Sequence, residues 1–230
     1  MFLYFYTLDH LYLINEYLTC TPLDEYLTEK KLDAGSNVPF PTQRVLRYIV
    51  QILQGIEFLH TSGFLHPGLL PNKILVSNED ICKFYDFCLP KDATRRMILK
   101  KTQIHCTLNN FAPESLLRNE YTCESDVWLA ANVIWYLVSS GKFIFSPVCS
   151  VTPNSKTVLT DETSWPVEYE ELRNELLFQC WAPDIASRPK VHQLRRSFNE
   201  ILINNQKVAN ADHADNGRSI LSTAQNIYCG

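Results

Sequence analysis

No stretch of this chain approaches the ~20 consecutive apolar residues that a helix needs to cross a bilayer, so the sequence offers no membrane span. An excess of positive charge is also missing. With 21 Lys and Arg against 25 Asp and Glu the formal charge is -4, which argues against a nucleic-acid footprint, and Arg95-Arg96 with Lys100-Lys101 is only a local basic patch. Eight cysteines, at positions 20, 82, 88, 106, 123, 149, 180 and 229, form no C-x-x-C pair and keep no regular spacing. Neither a zinc site nor a disulfide framework is indicated, and reduced, mostly buried thiols are expected. The start, Met1 to Tyr6, is apolar but lacks the basic lead and small-residue cleavage site of a signal peptide. No internal repeat is visible.

What is present suits one folded unit with a tail: 230 residues, 46% of them apolar. Phe2 to Tyr6 and Leu11 to Ile14 are short apolar runs around Asp9-His10 and predict a β-hairpin. Pro22 to Leu27 predicts a short helix, and Lys30 to Pro41 a polar loop. From Thr42, the positions Val45, Ile49, Ile52, Leu53, Ile56 and Leu59 recur at helical spacing, with Thr42 as the expected cap and Gly63 as the stop. Short strands are expected around Ile74 to Val76 and Cys82 to Tyr85. Asp126 to Ser139 is apolar on nearly every side, which predicts a helix buried all round and ended by Gly141. An irregular excursion is expected from Phe145 to Pro166, then helices marked by Leu172, Leu176 and Leu177 and by Val191, Leu194, Phe198 and Ile201. Residues 204–230 read as a disordered tail.

Five motifs stand in order along this framework. They are His66-Pro67-Gly68-Leu69 with Lys73, Asp86-Phe87-Cys88, Ala112-Pro113-Glu114, the run Tyr121 to Trp128 around Asp126, and Cys180-Trp181 with Asp184 and Arg188-Pro189. From about Leu11 to Leu202 the chain resembles the protein kinase superfamily, with these motifs at the places of H-R-D-L-x-x-x-N, D-F-G, A-P-E, the central helix and the closing motif. Glu124 to Trp128 resembles the tyrosine-kinase branch, whereas Pro71 resembles the serine/threonine branch, and Asn109-Asn110-Phe111 departs from the tyrosine-kinase pattern. The resemblance implies an α+β, mainly α fold: a protein-kinase-like C-lobe with a remnant N-lobe β-hairpin and hinge. Residues 1–18 would be the hairpin and hinge, 19–203 the C-lobe and 204–230 the tail. Asn15 would hold the gatekeeper position. Glu16 and Leu18 of the hinge, with Leu75 and Asp86, would be the residual nucleotide contacts. The family's glycine-rich loop, strand Lys and helix Glu would lie upstream of the hairpin, so most of the N-lobe is expected to be absent.

The departures fall where the chemistry would be. Kinases position a phosphoryl donor with metal ions and an Asp that accepts the proton of the attacking hydroxyl. Here Pro67, Gly68 and Lys73 stand at the Arg, Asp and Asn positions, so no base is present and a cation stands where the second metal ion would bind. Asp86 either binds Mg²⁺ and nucleotide weakly or pairs with Lys73, the pair then occupying the metal position. Cys88 replaces a glycine and reduces backbone freedom there. It is either a redox-sensitive thiol or a buried inert one.

What survives is architectural. The resemblance implies that Glu114 pairs with Arg188, that Asp126 accepts N–H groups of the catalytic loop, and that His66 and Phe87 stack in a hydrophobic spine, with Ala112 and Pro113 completing A-P-E. Residues 88–111 would be the activation segment, where Thr94, Thr102 and Thr107 are either phosphorylated beside the basic residues or solvated and unmodified. The expectation is a catalytically inactive kinase-like domain, a scaffold or allosteric partner of other signalling proteins, kinases among them. No cofactor and no metal ligand beyond Asp86 are expected, with weak ATP and Mg²⁺ binding as the alternative. A cytoplasmic place follows from the family, including as the intracellular part of a membrane-tethered protein. The competing expectation is an ATP-dependent protein kinase with atypical residues, or a truncated fragment of one.

Overall fold

The computed structural model describes residues 3–6, 11–14, 19–34, 41–101, 110–139 and 170–207. In chain order these form β1 (Leu3–Tyr6), β2 (Leu11–Ile14), β3 (Cys20–Pro22), α1 (Leu23–Ala34), α2 (Thr42–Thr61), β4 (Ile74–Ser77), β5 (Cys82–Phe84), α3 (Pro90–Lys101), α4 (Pro113–Leu117), α5 (Cys123–Val138), α6 (Glu170–Cys180) and a last helix, α7, over 191–207. Helices dominate. β1 and β2 pair antiparallel with Leu3 opposite Ile14, and a separate open sheet places β4 between β3 and β5, all antiparallel. This is the expected α+β, mainly α class, a kinase-like C-lobe with a remnant hairpin.

The core forms between α2 and α5. On α2 the apolar stripe Val45, Leu46, Ile49, Ile52, Leu53, Ile56 and Leu59 is buried, while Phe58 on the far side is exposed. Every residue of α5 from Ser125 to Val138 is buried, so this helix acts as the post around which the lobe is packed. Its first turn is fixed by a capping box: Ser125 N–H donates to Thr122 Oγ1 at 3.3 Å, and Thr122 N–H donates to Ser125 Oγ at 2.9 Å. At the end of α2, Gly63 takes the left-handed conformation at φ 78°. Its N–H bonds His60 O at 3.1 Å and Phe64 N–H bonds Leu59 O at 2.8 Å, which closes the helix and turns the chain into the His66 loop.

Several boundaries differ from those the sequence suggests. Thr42 is the first helical residue of α2, and Pro41 stands at the cap position without a side-chain cap bond. Pro41 fixes a suitable φ without help from a hydroxyl. α1 continues through the supposed polar loop as far as Ala34. α5 ends at Val138, before Gly141, which lies outside the described residues. α7 extends to residue 207, so 204–207 are helical instead of tail; the rest of that tail and the excursion from Phe145 to Pro166 lie outside the described residues. Of the cysteines described, Cys88 and Cys180 are buried and Cys20, Cys82 and Cys123 half-buried; all five are free thiols.

A polar knot holds the β4–β5 turn to the helices. Asp80, at φ 59°, accepts from Tyr48 Oη at 2.7 Å and Tyr26 Oη at 3.0 Å and pairs with Arg44 at 3.3 Å. Gln51 donates to Asp80 O at 3.0 Å and accepts from Cys82 N–H at 2.8 Å. Burial acts to raise the Asp80 carboxyl, but the two hydroxyls and the charges of Arg44 and Arg47 outweigh it and hold it below the usual value. A depressed folded pKa means that this stabilisation is present above the unfolded value of about 3.9 and is lost as the pH falls through the lower folded value. Urea midpoints measured down the acid limb should fall less steeply in Tyr48→Phe than in the wild type; an unchanged slope would remove Asp80 from the account.

Close approach of β5 to α2 depends on Gly55. A Cβ there would lie 2.3 Å from Cε2 and 2.8 Å from Cδ2 of the Phe84 ring, which also packs edge-on against His66 at 6.0 Å. Gly55→Ala should gain about 1 kcal/mol in helix propensity but lose about 1–3 kcal/mol to overpacking, a net loss of about 1 kcal/mol. Chemical denaturation of the variant checks this, and a more stable protein would mean that the Phe84 ring swings aside freely.

Candidate functional site

Two segments meet at the mouth of the β4–β5 hairpin. One enters β4 through His66, Pro67, Gly68 and a single 3-10 turn, Pro71–Lys73; the other leaves β5 as Tyr85 to Cys88. Leu65 and Cys88 exchange both backbone hydrogen bonds, at 2.8 and 2.9 Å, and hold the segments side by side. Asp126, on the first turn of α5, supports the first segment: its Oδ2 accepts from His66 N–H at 2.7 Å and lies 3.0 Å from His60 Nε2. Burial keeps His66 below the ordinary histidine value, so the neutral ring donates from Nε2 to Tyr85 O at 2.8 Å. The loop is thereby tied to the segment that carries Asp86.

Asp86 sits in the left-handed region, at φ 71°, with its carboxylate largely buried. Lys73 Nζ lies 3.2 Å from Oδ2 and 4.9 Å from the centre of the Tyr85 ring. Arg96, from α3, binds Oδ1 and also donates from Nη1 to Phe87 O at 2.9 Å. Both oxygens are therefore engaged by cations. Gly68 is half-buried and has no side chain to accept a proton, Pro67 is buried, and the Asn72 side chain is exposed while its carbonyl accepts from Tyr85 Oη at 2.7 Å. Among the described residues no three His, Cys, Asp or Glu side chains gather to hold a metal ion. The Mg²⁺ that the motif order implies does not fit this arrangement, because a divalent ion would have to displace an ammonium and a guanidinium from Asp86.

The other residues singled out from sequence fall as follows. Arg188 Nη1 and Nη2 fork onto Glu114 Oε1 and Oε2 at 2.5 and 2.9 Å in a fully buried pair. The same guanidinium donates to Ala182 O at 2.9 Å and Glu124 O at 3.1 Å and lies 5.1 Å from the Trp128 ring centre. Ala112 caps α4, Pro113 opens it, and Glu114 stands in its first turn, the position where Pro lacks nothing that a helix needs. The rings pair differently from the expected spine: His66 packs against Phe84, and Phe87 packs edge-on against Phe64 at 5.4 Å. Cys88 is buried in a small second core with Leu65, Ala93, Met97, Phe111 and Tyr121. Leu75 is half-buried on β4 opposite Lys83, and Glu16, Leu18 and Asn15 lie outside the described residues. Thr94 is exposed on α3 and donates to Asn119 O at 3.1 Å; Thr102 and Thr107 lie outside the described residues.

Arg96 is the site residue that sequence reading passes over. Its only signal is a place three positions after Ala93 on a helix that composition does not announce. Asn132 was equally hidden in an apolar run, yet it ties the turn after α6 to the segment before α4, accepting from Trp181 Nε1 at 2.9 Å and donating to Asn110 O at 2.8 Å.

Comparison with known proteins agrees with the motif order. The family model described as protein tyrosine and serine/threonine kinase matches residues 2–198. The macrophage colony-stimulating factor 1 receptor of Danio rerio is 25% identical over 198 residues, 82% of this chain and 20% of that receptor. Vascular endothelial growth factor receptor 1 of Homo sapiens is 26% identical over 187 residues, 78% of this chain and 14% of the receptor. The tyrosine kinase receptor Cad96Ca of Drosophila melanogaster is 21% identical over 201 residues, 84% of this chain and 26% of that protein. This chain thus spans between 14 and 26% of the length of these relatives. On its fold, its ordered motifs and the match across 2–198, the chain belongs to the protein tyrosine and serine/threonine kinase family.

Proposed function

We propose that this kinase-family domain does not transfer phosphate and instead serves as a scaffold or allosteric binding module for other signalling proteins, kinases among them, in the cytoplasm. The observation that carries this reading is the state of Asp86, whose two carboxylate oxygens are held by Lys73 and Arg96. Gly68 adds to it. General-base assistance alone is worth about 10²- to 10⁴-fold in such reactions, and a glycine supplies none of it. The supports of a folded platform remain in place: the Glu114–Arg188 pair, Asp126 beneath the loop, and the buried helix α5.

A second reading, an ATP-dependent kinase with atypical residues, is favoured by one feature, the retained Asp86 carboxylate. Thermal-shift titration with ATP, with and without Mg²⁺, separates the two. The inactive reading expects no Mg²⁺-dependent shift. A shift that Asp86→Ala abolishes supports the kinase instead.

A further inference from the structure

The geometry points to α3 as a latch: a marginal helix that delivers Arg96 onto Asp86 and whose release, together with loss of Lys73, opens the Asp86 carboxylate. This rests on the proposed function, because it explains how the cation position is kept shut. Three observations support it.

First, α3 is not self-sufficient. It has 12 residues, and an isolated helix of that length is marginal in water even with favourable composition. This one carries Pro90, Asp92, Thr94 and five basic residues, and a helix so polar is held by its contacts. Second, those contacts are few. Among the α3 side chains described, Ala93 and Met97 are buried, one turn apart, in the small second core under Leu65, Cys88, Phe111 and Tyr121. Ile98 is exposed, and Thr94 adds one hydrogen bond to Asn119 O. Third, Arg96 lies three positions from Ala93, on the side of the helix that faces the lobe. Its guanidinium therefore reaches two acceptors of the Asp86–Phe87 segment together, the carboxylate and the Phe87 carbonyl. A charge-assisted clasp of this kind is a large share of what holds so small a helix.

Lys73 and Arg96 differ in a way that makes one of them the movable part. Lys73 comes from the 3-10 turn that runs directly into β4, the middle strand of its sheet, so its backbone is anchored next to that strand. Arg96 travels with α3. Asp86 itself is held in a left-handed conformation that an unconstrained Asp seldom adopts, so the clasp also secures a strained residue.

The test uses the whole chain and two readouts that do not depend on catalysis. Hydrogen exchange of the amides of residues 91–98 should quicken by about tenfold or more in Arg96→Gln, which removes the charge-assisted contacts with Asp86 and Phe87 O, while α5 amides stay as protected as before. Thr94→Val, which leaves Asp86 untouched, should quicken the same amides by a smaller factor. Unchanged exchange in Arg96→Gln overturns the latch. In the second readout, loss of the free Mn²⁺ resonance reports binding: Arg96→Gln with Lys73→Asn should take up Mn²⁺ and Lys73→Asn alone should not. Binding by Lys73→Asn alone overturns the role of Arg96. Binding by the wild type, abolished by Asp86→Ala, sinks the inactive reading; a failure confined to the exchange experiment sinks the latch alone.

Discussion

Arg188→Ala is expected to destabilise the domain by about 3–5 kcal/mol, the usual cost of removing one partner from a buried ion pair. The charge on Glu114 would be left in a site that water does not reach, since both side chains are fully buried. The loss would not stop there. Glu124 O and Ala182 O would each lose a donor, and the Trp128 ring the cation above it. Arg188→Lys should recover only part of the stability, because an ammonium cannot reproduce the two-pronged contact with both Glu114 oxygens. Equilibrium urea denaturation of the three proteins checks this, with Glu114→Ala/Arg188→Ala expected to lose less than the sum of the single variants. Strict additivity would mean that the pair contributes no coupling.

Asp126 should be nearly as sensitive, and its neighbour should respond in the opposite direction. Asp126→Ala would leave the His66 N–H and the His60 ring without their shared acceptor, a loss of about 2–6 kcal/mol at roughly 1–3 kcal/mol for each of the two stranded groups. The carboxylate is itself only half used among the described residues: Oδ1 is buried and accepts no hydrogen bond from them. The next backbone nitrogen after His66 belongs to Pro67, and it carries no hydrogen. Pro67→Ala restores that N–H. A hydrogen bond to a carboxylate brings about 1.5–3 kcal/mol, and the added freedom of the unfolded chain takes back about 0.4–1 kcal/mol, so this variant should be more stable by about 1 kcal/mol. Urea midpoints decide it, and a less stable Pro67→Ala would mean that proline suits the loop better than the missing donor.

The parts of this molecule that were legible in sequence are those governed by pattern. The stripe on α2 and the all-round burial of α5 follow from apolar periodicity, and the stop at Gly63 follows from its freedom to take a positive φ. The emptied positions at Pro67, Gly68 and Lys73 could be seen because the motifs around them keep their order. The contact between Lys73 and Asp86 was one of two alternatives, and the structure contains it at 3.2 Å. What was not legible depends on long-range contacts. α3 has too polar a composition to announce itself, and it exists because Ala93 and Met97 find a small core built from residues far along the chain. Arg96 was therefore read only as part of a local basic patch. Asn132 and Asp80 share that character, since each is a polar residue whose partners come from other elements. The ring contacts of His66 and Phe87 were carried over from the family, and the local packing of Phe84 and Phe64 decided otherwise.

The most direct test of the central proposal is single-turnover phosphoryl transfer from ATP to peptides bearing Ser, Thr or Tyr hydroxyls, with Mg²⁺ present and Asp86→Ala prepared in parallel to expose contaminating activity. The account predicts no transfer by the wild type above that of Asp86→Ala. Transfer by the wild type that disappears in Asp86→Ala would contradict it.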